Sequence, residues 1–154
     1  MKIKKVRCVQ INSPVPKTNP NTRPGWNTHA IRSNPIARYT QFPRVDGHKP
    51  GTTQKAWVQI TAEDGTFGLG SFAHGQIGAS LVDYFIAPLI EGKNALATEL
   101  INDLIWRSNE GFQGGIATAA QSGVDLAMWD LKGKLLERPV YELIGGPSRK
   151  AVEL

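Results

Sequence analysis

The sequence predicts an α+β domain: a three-stranded antiparallel meander followed by a helical bundle whose helices lie on one face of the sheet. Three observations carry this. Apolar residues recur at strand-like spacing over 2–11, 56–61 and 66–72. An Asp64-Gly65 pair between the second and third runs is a strong hairpin signal. From residue 76 onward the apolar spacing lengthens to that of helices.

The first strand is marked by Ile3, Val6, Cys8, Val9 and Ile11. The next segment breaks the pattern. Seven of the ten prolines fall between Pro14 and Pro50, among many Asn, Thr and Ser. Such a stretch suits neither a helix interior nor a central strand. Connections this long are uncommon and are usually functional or disordered. Trp26, His29, Ile31, Ile36, Tyr39 and Phe42 give this one something to pack with, so a structured lid over 14–55 is expected.

A first helix is expected from residue 76, with Ile77, Leu81, Phe85 and Ile86 at helical spacing and Pro88 as its stop. A second is expected over 94–107, capped by Asn94, with Leu96, Leu100, Leu104 and Ile105 on one side. After a glycine-rich break at 110–115, Ile116, Ala120, Val124, Ala127, Met128, Leu131 and Leu135 mark a long helix ending near Glu137 and stopped by Pro139. A short turn over 140–144 closes on Gly145 and Gly146, and 151–154 resembles the start of another strand.

Composition excludes several classes. In 154 residues there is no apolar run near the roughly 18 residues of a membrane helix. The N-terminus lacks the long apolar stretch of a secretory signal, and a cytoplasmic protein is expected. Cys8 is the single cysteine, so an intrachain disulfide is excluded. Net charge is +5, but residues 1–56 hold 11 Lys/Arg against Asp46 alone, while 57–154 hold 7 Lys/Arg against 12 acids. The basic third suits phosphates or anionic small molecules.

Motifs for chemistry are sparse. Gly68-x-Gly70-x-x-Ala73 superficially matches a dinucleotide fingerprint, but it lies in the returning arm of a hairpin rather than after the first strand of a parallel unit. The expectation is instead a strand where small residues admit close backbone approach. His29, His48 and His74 have no second ligand at helical spacing, and no metal site is expected in the chain. Asp125 and Asp130, five residues apart, project about 140° from each other around a helix and are not a paired-carboxylate site. Met128 and Trp129 are expected in the core. Arg23, Trp26, Arg32, Arg38, Tyr39, Phe42 and Arg44 interleave bases with aromatics, loosely as in nucleic-acid binders, but the prolines break any regular platform.

The stretch Ser122-Gly-Val-Asp125-Leu-Ala-Met-Trp129-Asp130-Leu-Lys132-Gly-Lys134, continued by Arg138-Pro-Val-Tyr141-Glu-Leu-Ile-Gly145-Gly146, resembles the enolase superfamily. More narrowly it resembles the mandelate racemase and muconate lactonizing enzyme branch. Residues 63–70 (EDGTFGLG) and 90–93 (IEGK) match that branch too, and Thr28-His29 with 34–39 (NPIARY) is most similar to L-rhamnonate dehydratases and related acid-sugar dehydratases. Many members carry a glutamate where this chain has Ser71.

The resemblance implies a capping domain over 1–147, with 148–154 opening the first strand of a (β/α) barrel. In this family the barrel holds the chemistry: the proton-abstracting base, three acidic Mg²⁺ ligands and a His-Asp dyad. By that reading no catalytic residue and no metal ligand lies in this chain, which would be inactive alone. The whole enzyme would remove a proton next to a carboxylate, let Mg²⁺ stabilise the enediolate, and expel water with a general acid. The capping domain's lid would exclude solvent and contact distal hydroxyls. Arg23, His29 and Arg44 are the expected substrate contacts, with Trp26 as a shaping wall. The expected partners are a small acid sugar, the chain's own barrel and further copies in a homo-oligomer. The helical face at 116–136 is expected to be apolar and exposed in isolation, or buried in an oligomer. Two alternatives stand beside this reading: the capping domain of a racemase or cycloisomerase, and a stand-alone basic module for anions or nucleic acid.

Overall fold

The central strand shows how the sheet is built. In β2 (Ala56–Ala62) every second residue is buried, so Ala56, Val58, Ile60 and Ala62 face the core while Trp57, Gln59 and Thr61 face the other way. It is flanked by β1 (Ile3–Gln10) and β3 (Phe67–Phe72) in the antiparallel order β1-β2-β3, the expected meander. The computed structural model describes residues 1–10, 56–72, 75–108, 111, 114–149 and 151. Gly65 closes the β2–β3 hairpin at φ +90°, a backbone angle that glycine adopts without strain. Asp64 accepts the Thr66 N–H at 2.9 Å in the same turn.

Helices follow on the core face of the sheet. The first continuous helical stretch departs from expectation. It runs as α1 (Gly75–Leu81), a π turn (Val82–Ile86) and α2 (Ala87–Ile90), straight through Pro88. The wider turn shows in the Ala87 N–H, which donates to the Val82 carbonyl five residues back. A proline ring clashes with the carbonyl four residues earlier in a regular helix, and a π turn just before it relieves that crowding. The buried side is Ala79, Val82, Ile86, Ala87 and Ile90, whereas Ile77, expected on the packing face, is exposed.

The second helix is shorter than expected. Asn94 does not cap it: its Oδ1 accepts the Leu96 N–H at 3.0 Å within a preceding turn, and its backbone bridges to Lys2. α3 (Thr98–Ser108) begins four residues later and buries Thr98, Ile101 and Ile105. Leu100, expected inside, is half exposed because it lies across the helix from that stripe.

The long helix matches its reading. α4 (Gly115–Leu135) buries Ala120, Val124, Ala127, Met128 and Leu131. That face packs on β3 and β2 within this chain, so the apolar residues of 116–136 that stay exposed are Leu126 and Leu136, off the packed stripe. Trp129 is only half buried, with the Lys132 ammonium 4.7 Å from its ring centroid. The helix ends on Glu137 at φ +51°, with the Arg138 N–H donating to the Gly133 carbonyl at 2.9 Å. Pro139 then leads into α5 (Val140–Leu143). Residues 152–154, part of the expected further strand, lie outside the described residues.

Candidate functional site

The Gly68-x-Gly70 pair belongs to the contact between β3 and α4. A Cβ at Gly68 would overlap the Ala127 carbonyl oxygen, and one at Gly70 would overlap that of Gly123. The two backbones touch where side chains would hold them apart, so the motif serves packing and not a dinucleotide. Phe72, the next inward residue, is wedged between Gly78 of α1 and Gly123 of α4, with a Cβ at Gly123 falling 2.6 Å from its ring.

That wedge marks one end of the sheet. Gln10 pairs with Ala56, and Ala56 pairs with Phe72. One rung therefore carries the point where the chain leaves β1, the point where it returns to β2, and the exit from β3. The connection over 11–55 is rooted on that rung. Arg23, Trp26, His29 and Arg44 all fall in it and lie outside the described residues, as do His48 and His74.

The root is held by acids that sequence reasoning missed. Asp83 Oδ1, in the π turn, accepts the Cys8 N–H at 2.7 Å. Glu91 Oε1 accepts the Val6 N–H at 2.9 Å, with Lys5 Nζ 3.5 Å away. Further along the same edge the Ile3 N–H donates to the Lys93 carbonyl at 2.8 Å. No periodicity flags Asp83, exposed in the π turn, or Glu91, in the turn after α2, since each has as its partner a backbone group 75 or 85 residues away. The Cys8 thiol beside Asp83 is pushed up to about 12, first by burial and then by the neighbouring carboxylate. It stays neutral at physiological pH.

Asp125 and Asp130 have separate structural partners, in keeping with their expected separation. Asp125 accepts from Asn102 Nδ2 at 3.3 Å between α3 and α4. Asp130 accepts the Leu69 N–H at 2.8 Å and pairs with Lys134 at 2.7 Å. A cavity of about 300 Å³ at the α4–α5 corner is lined in part by Asp130, Lys134 and Arg138, but both cations are already paired, Arg138 with Glu142. Among the described residues no group of three or more His, Cys, Asp or Glu could hold a metal ion. The described residues therefore do not fit Mg²⁺. No helix among them is long and apolar enough to cross a membrane.

Comparison with known proteins agrees with that arrangement. Residues 45–145 match the family described as mandelate racemase / muconate lactonizing enzyme, N-terminal domain. The chain belongs to this family. A curated L-rhamnonate dehydratase of Saccharopolyspora erythraea is 31% identical over 99% of the chain and 40% of its own length. The crystal structure of L-rhamnonate dehydratase from Gibberella zeae superposes with a TM-score of 0.76 at 27% identity, over 96% of this chain and 35% of that one. A mandelate racemase/muconate lactonizing protein from Paracoccus denitrificans, complexed with magnesium, is 42% identical over 62% of this chain and 26% of that one, with a TM-score of 0.56. The chain thus spans well under half the length of the relatives it matches. The meander and helices described above are the enolase-superfamily N-terminal domain, as the sequence resemblance implies.

Proposed function

We propose that this chain is the substrate-facing capping domain of an acid-sugar dehydratase of the L-rhamnonate type. One observation supports it most: a curated relative matching 99% of the chain and a solved structure superposing over 96% of it with a TM-score of 0.76 are both L-rhamnonate dehydratases. The rung Gln10–Ala56–Phe72 supplies a rigid root for that segment. Arg23 and Arg44 offer guanidinium donors and His29 an imidazole for the distal hydroxyls, and Trp26 offers an apolar wall. In this reading 14–55 is the lid, and 148–154 leads toward a barrel that carries the base and binds Mg²⁺. The reaction is proton removal next to a carboxylate followed by loss of the β-hydroxyl as water, leaving a 2-keto-3-deoxy acid.

The test uses the longer protein that continues this chain. It is incubated with a panel of acid sugars that includes L-rhamnonate and D-galactonate, and 2-keto acid formation is followed as the semicarbazone. Turnover of one or a few of them is expected. Arg23→Ala, His29→Ala and Arg44→Ala should each raise KM for the accepted sugar more than they lower kcat, since this reading gives them the distal hydroxyls to bind and no part in the proton transfer. Unchanged KM in all three variants would remove these residues from the site. Epimerisation or ring closure with no loss of water would replace the dehydratase by a racemase or cycloisomerase.

A further inference from the structure

We infer that the outer face of the meander is a self-association surface: in the full-length protein it packs on the same face of a second copy, about a two-fold axis that runs along β2. The inference does not depend on the dehydratase reading. The helices cover one face of the sheet, and the other presents side chains from all three strands. The registers set Arg7, Gln59 and Leu69 in one row across that face, and Lys5, Thr61 and Phe67 in the next. Trp57 precedes Gln59 on the same side of β2. Arg7, Lys5 and Phe67 are exposed, and Trp57 and Leu69 are half-buried. Growth at the sheet edges is closed off, since Asp83 and Glu91 cap β1 and Asp130 caps β3. The face is what the sheet has left to offer a partner, and its aromatic and aliphatic residues gain by leaving water.

Charge selects both the partner and the axis. Among the paired residues of this face the cations are Lys5 and Arg7, both on the β1 margin, and there is no acid. An axis across the strands would set Arg7 of one copy over Arg7 of the other. An axis along β2 instead sets the cationic β1 margin over the uncharged β3 margin, Arg7 against Leu69 and Lys5 against Phe67. Lys134, near the Phe67 ring, is already paired with Asp130 at 2.7 Å. The same axis brings the β2–β3 hairpin, with Glu63 and exposed Asp64, over the start of β1 in the second copy, where Lys2 and Lys4 are exposed. Opposite charges then meet at the rim, while Trp57 and Gln59 meet their own counterparts at the centre. Sheets packed face to face keep their strands within about 30° of each other, so this pairing of margins fits the usual geometry.

The experiment cross-links cysteines placed on this face of the full-length protein. Gln59→Cys, at the axis, should give a covalent dimer with a bis-maleimide spanning about 10 Å, the separation of packed sheets. The unaltered protein, which keeps Cys8, supplies the background. Arg7→Cys and Leu69→Cys should each fail to link to themselves and should link to each other when co-expressed. Trp57→Glu sets two like charges face to face, and should at least halve the mass read by light scattering while the circular dichroism spectrum is unchanged. A monomeric mass for the unaltered protein would overturn the inference, as would the absence of a Gln59→Cys dimer. Self-linking of Arg7→Cys would overturn the axis. A Trp57→Glu protein of unchanged mass and lower melting temperature would mean that the face is covered within one subunit, and the inference would fail. If Trp57→Glu does not fold, the cross-linking decides alone, because Gln59→Cys replaces a half-buried polar residue and leaves the core untouched.

Discussion

Asp130 of α4 accepts the Leu69 N–H of β3 at 2.8 Å, and one helical turn later Lys134 donates to the neighbouring Phe67 carbonyl at 2.9 Å. An acid and a base at i and i+4 thereby take the donor and the acceptor of a sheet edge that has no further strand. They also pair with each other at 2.7 Å. Asp83 and Glu91 do the same work on the opposite edge, so both margins of the sheet are closed by carboxylates. Asp130→Ala should destabilise the protein by about 1–2 kcal/mol, the cost of leaving a part-buried edge N–H without its acceptor. Asp130→Asn should cost less than about 1 kcal/mol, because it loses only a surface ion pair. Urea unfolding of the two variants checks the ordering.

The contact between β3 and α4 leaves no room for a side chain. At Gly70 an added Cβ would lie 2.6 Å from the Ala127 nitrogen, and backbone cannot swing aside as a flexible side chain can. Gly70→Ala should therefore cost at least about 2 kcal/mol, the upper part of the range for overpacked cores. Gly65→Ala serves as a contrast. Nothing lies within 4 Å of its Cβ, so its cost comes from the positive φ alone, about 1–2 kcal/mol.

Glu137 occupies the position after α4 where helices favour glycine. Its φ of +51° carries a Cβ penalty that glycine would not. Glu137→Gly should raise stability by about 1 kcal/mol, visible as a higher urea midpoint with an unchanged slope.

Cys8 predicts a pH dependence. Its folded pKa, about 12, lies above the ordinary 9.0, so the folded state holds the thiol proton to higher pH than the unfolded chain does. The associated stability is fully present below pH 9.0 and is lost as pH rises toward about 12. Cys8→Ala should flatten the stability profile across that window. The same thiol should react with iodoacetamide at pH 8 far more slowly than an unfolded cysteine control.

The sequence was most legible where one face of an element is continuously buried. The β2 alternation and the α4 stripe from Ala120 to Leu131 were readable because core burial imposes a period on residue types. Pro88 and Ile77 misled for one reason: a π turn lets a helix pass a proline, and local spacing alone does not show that wider turn. Asn94 misled because an Asn that caps a turn and one that caps a helix look alike in sequence. Leu100 was an apolar residue on the outer side of α3. The edge-closing roles of Asp83, Glu91 and Asp130 carried no signal, because their partners are backbone groups 61 to 85 residues away in the chain. The family was readable from 122–146, where helix packing and the following turn constrain nearly every position. Arg23, Trp26, His29 and Arg44 rest on likeness and on the chemistry of their side chains, since they lie outside the described residues.

The most direct measurement is proton NMR of the full-length protein with L-rhamnonate in D₂O. The account predicts a 2-keto-3-deoxy product with deuterium incorporated at C3 and no deuterium returned to C2 of an epimerised substrate. Epimerised substrate carrying C2 deuterium and no keto product would contradict it and point to a racemase.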